Sequence, residues 1–299
     1  MFPIIPANSA QGVSATQKGI FGYGNTGSIS SLTNLVSSSG VVATDTTGVG
    51  TARTALAAAG YGLDKAIFGY GNSGSVTSIT NLVSNSGVVA TDTTGVGTAR
   101  SALAACGYGT DKAIFGYGST ASVLSISNLV NTVGTVAADV TGVGTARNQL
   151  AAASYGGDKG IFAYGSTGGV SVLSISNLVN TVGTVAADVT GVGTARTQLA
   201  ACSYGGDKAV FGFGRLTAVT NKVSNIGVIA TDTSGVGTAR RNIAACSYGG
   251  DKGIFGYGYD SVRLSMSNLV SNTGTVASDV TGVGTARASL AAAGYSTSA

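Results

Sequence analysis

The apolar and polar positions of this chain spell one unit written six times. The apolar run Lys18-Gly19-Ile20-Phe21-Gly22-Tyr23-Gly24 restarts at Lys65, Lys112, Lys159, Lys208 and Lys252, at intervals of 47, 47, 47, 49 and 44 residues. Within a unit, Ala66-Ile67-Phe68-Gly69-Tyr70-Gly71 is a short apolar stretch closed by glycine, followed by a Gly/Ser/Thr loop. Val76-Thr77-Ser78-Ile79-Thr80-Asn81-Leu82-Val83 is rich in β-branched residues, and a Ser-Asn-Ser-Gly turn leads into Val88-Val89-Ala90-Thr91-Asp92-Thr93. Gly95-Val96-Gly97 breaks the chain before Thr98-Ala99-Arg100-Ser101-Ala102-Leu103-Ala104-Ala105-Cys106-Gly107-Tyr108-Gly109, and Thr110-Asp111 hands over to the next copy. Short β-rich stretches separated by turn signals predict four strands per unit. The Ala-rich fourth stretch also reads as a two-turn helix with a Thr N-cap and a Gly C-cap. A strand is the better reading: a tight Gly/Asp turn joins it to the next stretch as in a hairpin, and its small side chains suit strands crowded around an axis.

Six units of four strands predict an all-β fold, a six-bladed β-propeller of four-stranded blades. A solenoid is the alternative, but solenoids carry atypical polar caps, and here the first and last units look like the middle ones. Gly294-Tyr295-Ser296-Thr297-Ser298-Ala299 aligns with Gly60-Tyr61-Gly62-Leu63-Asp64-Lys65. Residues 287–297 are therefore expected to supply the inner strand of the blade that begins at Lys18, closing a propeller over 18–299. Residues 1–17 are then an extended N-terminal arm with an apolar tip, Phe2-Pro3-Ile4-Ile5-Pro6. The other possibility gives the inner-strand place to Gln11–Thr16, which lacks the Gly/Ser-Tyr ending.

Composition narrows the chemistry. Of 299 residues 48 are Gly, about 16%, and only 9% are charged, against averages of roughly 7% and 25%. There is no His, Glu or Trp, and every acid is Asp. Imidazole bases, Ser-His-Asp and Cys-His arrangements and imidazole metal ligands are thereby excluded, and three Cys cannot close a structural zinc site alone. The reading is a non-enzyme with no cofactor. A net charge of +4 without Lys/Arg runs argues against nucleic-acid binding. No stretch approaches the ~18 apolar residues of a membrane span, and the start lacks a basic, apolar leader, so synthesis in a cytoplasm is expected.

The stretch from Ala99-Arg100 through Gly109-Thr110-Asp111-Lys112 to Phe115-Gly116-Tyr117-Gly118 resembles a kelch repeat. Kelch units have an Arg-led strand, a hairpin turn and an apolar strand ending in a Gly pair; here that pair is split by Tyr and the usual Trp is missing. The Ile-Phe-Gly-Tyr-Gly … Asn-Leu-Val … Gly-Val-Gly-Thr-Ala-Arg array also looks like repetitive virion proteins of tailed bacteriophages. That resemblance implies a structural or adsorption component of a virion, made in the host cytoplasm. It would dock to other virion proteins through the arm, at Phe2, Ile4 and Ile5, and through one propeller face. A lectin-like host-adsorption module is the alternative, with grooves between blades binding surface polysaccharide.

The repeated polar residues read first as structural. Asp and Arg recur eight apart, as in Asp45/Arg53 and Asp92/Arg100; each Asp is expected to cap loop N–H groups or to meet an Arg between blades, rather than form a charged ring for an axial ligand. Phe21 and Tyr23 and their equivalents, two apart, predict a shared strand face and an aromatic layer between blades. Asn34 and its equivalents are expected to tie blade to blade. The Asp-Lys pairs read as solvated hairpin turns. Cys106, Cys202 and Cys246 share one repeat position with Ala59, Ala153 and Ala293 and read as small buried apolar residues. The copies differ in length only after the Phe-Gly-Tyr-Gly strand, giving Ser166–Ser171, a short form with Arg215, and a form with Tyr259, Asp260 and Arg263. Loops on a rigid scaffold carry recognition, so those four residues join the arm as candidate partner contacts.

Overall fold

The computed structural model describes residues 17–169 and 171–298. They are all-β: no helix occurs among them, and the strands form six three-stranded antiparallel sheets in a six-repeat, propeller-like arrangement. Sheet two is Ala57–Tyr61, Lys65–Gly69 and Thr80–Val83, taken as inner, middle and outer strands. Sheet three is Ala104–Tyr108, Lys112–Gly116 and Ser127–Val130; sheet four is Ala151–Tyr155, Lys159–Ala163 and Ser176–Val179. Sheet five is Ala200–Tyr204, Lys208–Gly212 and Thr220–Val223; sheet six is Ala244–Tyr248, Lys252–Tyr259 and Arg263–Val270. Sheet one joins the two ends of the chain: Ala291–Ser296 pairs antiparallel with Gln17–Asn25, which pairs with Ile29–Val36. The C-terminal repeat thus supplies the inner strand of sheet one, as its alignment predicts, and Gln17 lies in the strand rather than in the arm. Phe2, Ile4, Ile5 and the rest of the arm lie outside the described residues.

The Ala-rich stretch is a strand, Ala104–Tyr108 in the third sheet, because the hairpin to Lys112 pairs Tyr108 with Lys112 directly. The stretch Val88–Thr93 departs from expectation. Only isolated bridges, Val83 to Val89 and Thr80 to Thr93, hold it to the outer strand. The cause is the Asn81 side chain, which donates to the Ala90 carbonyl at 3.0 Å and to Asp92 at 2.9 Å and bends the stretch out of ladder register.

The aromatic layer exists, but Phe and Tyr do not share a face. Tyr23 has φ +65° and sits in a bulge between Gly22 and Gly24, which reverses the side-chain alternation. Tyr23 meets Phe68 of sheet two edge-on, centroids 5.1 Å apart, while Phe21 meets Tyr257 of sheet six at 5.1 Å. Each sheet therefore offers a Phe to one neighbour and a Tyr or Phe to the other. The bulge needs Gly24, since a Cβ there would stand 2.8 Å from the Ala288 carbonyl oxygen.

The core lies in the seams between sheets, as six apolar clusters. Ile20, Tyr23, Phe68 and Val83 belong to the seam of sheets one and two, and Phe21, Cys246, Ile254 and Tyr257 to that of sheets six and one. Backbone bonds close the cycle at the axis. Ala102, Gln149, Gln198, Asn242 and Ser289 each donate N–H to the carbonyl of the equivalent residue one sheet earlier, and Ala55 donates to Ser289, all at 2.8–2.9 Å.

Candidate functional site

The charged groups are built into the seams. Arg53, in the connector entering sheet two, is fully buried; it donates to Asn81 Oδ1 at 2.6 Å and the Thr51 carbonyl at 3.1 Å. Its guanidinium lies 4.4 Å over the Tyr23 ring of sheet one, and the Tyr23 hydroxyl donates to the Val49 carbonyl at 3.1 Å. Asp92 accepts from the Thr51 N–H at 3.0 Å and hydroxyl at 2.6 Å. The partner of Asp92 is thus Arg53 of the preceding repeat, 3.9 Å away, rather than Arg100 eight residues on. Asn81 secures the connector of its own sheet; it is the Arg–Tyr stack that ties one sheet to the next. The last repeat completes the cycle, with Thr285 and Arg287 bound to Asp45 and Asn34 of the first.

Burial shifts these groups in predictable directions. It works to raise Asp92 and its five equivalents, but the Thr hydroxyl, the Asn amide and the Thr N–H outweigh it and hold each carboxyl below its usual range. Burial pushes the phenols of Tyr23, Tyr70 and Tyr257 up to about 12 against the pull of the Arg above each. The thiols of Cys106 and Cys246 rise to about 12 for the same reason, and Cys202 rises too. The guanidiniums, phenols and thiols face the packed interior, whereas the carboxylates are partly or fully exposed where they bind the Thr of the neighbouring connector. Neither the repeated Asp nor the repeated Arg lines an axial cavity, so they do not form a ligand ring on the axis. Among the described residues no cluster of three or more Cys, His, Asp or Glu could hold a metal.

Each end of the axis holds a concavity. At the hairpin end a cavity of about 280 Å³ is lined by Gly60, Gly107, Ser154, Ser203, Ser247 and Gly294 together with the turns. The Asp-Lys pairs sit in those turns as ion pairs of 2.6–3.0 Å with half-exposed lysines. At the other end a cavity of about 220 Å³ has a wall of Leu56, Leu103, Leu150, Leu199, Ile243 and Leu290. Its rim is Ala55, Ala102, Gln149, Gln198, Asn242 and Ser289, the residues of the closed backbone ring. No rim side chain ionises, and the carboxamides can both donate and accept hydrogen bonds.

The predicted loop residues flank this second mouth. Tyr259 and Arg263 face each other at the base of the sheet-six hairpin, and Tyr259 pairs through its backbone with Arg241, whose guanidinium lies 5.4 Å over its ring. Arg263 reaches across to sheet one and donates to Asn25 Oδ1 at 2.6 and 3.0 Å. Asp260 caps its own turn, and the N–H groups of Val262 and Ser261 hold its carboxyl below the usual range. Arg215 is exposed at left-handed φ in the sheet-five turn. The structure brings Tyr259, Asp260 and Arg263 into one hairpin tip and leaves Arg215 apart. The rim residues are absent from the sequence-based candidates. Their signal is the pair after each Thr-Ala-Arg, which reads Thr54-Ala55, Ser101-Ala102, Asn148-Gln149, Thr197-Gln198, Arg241-Asn242 and Ala288-Ser289 while its flanks stay nearly constant.

No family model matches the chain, and no curated protein is similar to it.

Proposed function

We propose that the chain closes as a six-bladed β-propeller, the bridged fourth stretch completing each blade, and serves as a non-enzymatic structural protein of a virion. It docks to other virion proteins through the segment before Gln17 and through the face carrying Arg215 and the Tyr259–Arg263 hairpin. The observation that carries this reading is the fate of the charged groups. In each repeat the Arg stacks on an aromatic ring of the neighbouring sheet while the Asp and Asn hold the connector in place, which suits a durable building block. The likeness to phage virion arrays adds the setting. The experiment is detection of the protein in purified particles, with a pull-down from particle extracts using the full chain and a version lacking residues 1–16. Capture of a virion protein by the full chain alone supports the reading. Absence from particles together with no capture overturns it.

A second reading, binding of host-surface polysaccharide, is favoured by one observation: the variable, uncharged axial mouth. That site differs from the grooves between blades expected from sequence, since the seams are filled by aromatic and aliphatic side chains.

A further inference from the structure

The rim position is unusual for its backbone. Ala55, Ala102, Gln149, Gln198, Asn242 and Ser289 all have φ between +53° and +60°, a region strained for any residue with a Cβ. This chain is rich in glycine and uses it at most other left-handed positions, as at Gly50, Gly97 and Gly144. Yet all six rim positions keep a side chain. Packing does not demand it, for each is only half-buried. Tyr23, also left-handed, differs: its ring fills a seam. Side chains kept at a strained, half-exposed position point to a role outward, toward something in the mouth.

The chemistry of the rim is one-sided. Gln149, Gln198, Asn242 and Ser289 come from sheets four, five, six and one, which follow one another around the axis, whereas sheets two and three offer Ala55 and Ala102. An arc of amides and a hydroxyl therefore faces two methyls, above a wall of leucine and isoleucine 5–6% exposed. A sugar has matching surfaces: hydroxyls with paired donor and acceptor roles along its edges, and C–H groups on a face. The mouth is also smaller than the roughly 300–1,000 Å³ of drug-sized pockets, which suits one ring at the end of a chain. With no charge on the rim, an anionic ligand would enter without a counter-charge, and burying an unpaired charge is disfavoured.

We infer that the axial mouth binds the terminal sugar of a neutral glycan through Gln149, Gln198 and Asn242. This rests on the polysaccharide-binding reading and places that activity at one axial site. The test uses the full chain and a Q149A/Q198A/N242A variant against immobilised mannan, galactan and glucan oligosaccharides, with heparin as the anionic comparison. Alanine is the native residue at two of the six equivalent positions, so the variant is expected to fold, which its thermal unfolding checks. The expected result is binding of a neutral oligosaccharide by the full chain and a loss of affinity of at least about tenfold in the variant. Equal binding by both proteins would overturn the axial site while leaving the polysaccharide-binding reading intact. Absence of binding to every neutral glycan, or binding to heparin alone, would overturn both. Loss of capture of a virion protein by the same variant, with no glycan bound, would make the mouth a protein-docking point and overturn the proposal as well.

Discussion

The seams and the axial mouth are built by opposite rules. Along the seams, six copies repeat the same Arg, Asp, Asn and aromatic residues almost without exception, and at the inner-strand slot that holds Cys or Ala the facing residue changes with it. Cys106, Cys202 and Cys246 face Gly160, Gly253 and Gly19 of the next sheet, where a Cβ would come within 2.4–2.6 Å of the sulfur. Where the inner strand has Ala59, Ala153 or Ala293, the facing seam residue is Ala113, Ala209 or Ala66. Volume is thus balanced at all six seams, as close packing requires. At the mouth, equivalent positions differ in kind with no matching change nearby. Repetition there is relaxed because the side chains face a cavity rather than each other.

The largest break of this contrast is expected at the buried guanidinium. Arg100→Ala would leave Asn128 Oδ1 and the carbonyls of Tyr117 and Thr98 without their donor, and should destabilise by about 3–5 kcal/mol. Denaturant unfolding measures it; a loss below about 1 kcal/mol would show that the seam does not depend on that group. The Cys–Gly pairing comes next. Gly160→Ala should overpack against Cys106 and cost about 1–3 kcal/mol, and adding Cys106→Ala should restore most of it. A double-mutant cycle reads the coupling, and additive effects would mean that the two positions are independent.

The titratable groups give a pH test. The six seam carboxylates have folded pKa values below their unfolded ones, so their contribution is full above about pH 4 and falls as pH drops through the folded values. The phenols of Tyr23, Tyr70 and Tyr257 are raised to about 12, so their contribution is full below about pH 10 and falls as pH climbs toward 12. The midpoint of denaturant unfolding should plateau from about pH 5 to pH 9 and decline on both sides; decline on neither side would remove the seam network from the account of stability. The smallest effect is expected at the mouth: Gln149→Ala or Gln198→Ala should shift stability by no more than about 0.5 kcal/mol. A larger loss in thermal unfolding would mean that the rim serves the ring rather than a ligand.

Much of the fold was legible before the structure. The period and its turn glycines show in the sequence because each copy must rebuild the same hairpin. The pairing of the chain's two ends showed in the alignment of Gly294–Ala299 with Gly60–Lys65. The strand form of the Ala-rich stretch followed from its tight turn, and the burial of Cys106 from the Ala that replaces it elsewhere. The facing of Phe21 and Tyr23 was misread because a period of two assumes regular strand dihedrals, and the left-handed Tyr breaks that assumption.

Of the candidate site, the loop face was legible and the mouth was not. Length differences mark Arg215 and the Tyr259–Arg263 hairpin directly. Gln149, Gln198 and Asn242 lie 44–49 residues apart and meet only because the inner strands converge on one axis. The sequence alone determined the repeat, three of the four strands read for each unit and its small-residue slots, since local spacing and side-chain size settle those. Tertiary structure alone decided that each connector Asp binds the Thr of the preceding repeat, that Cys faces Gly, and that six variable residues form one rim. Those are contacts between copies, and a repeated sequence records what each copy contains, not which neighbour it touches.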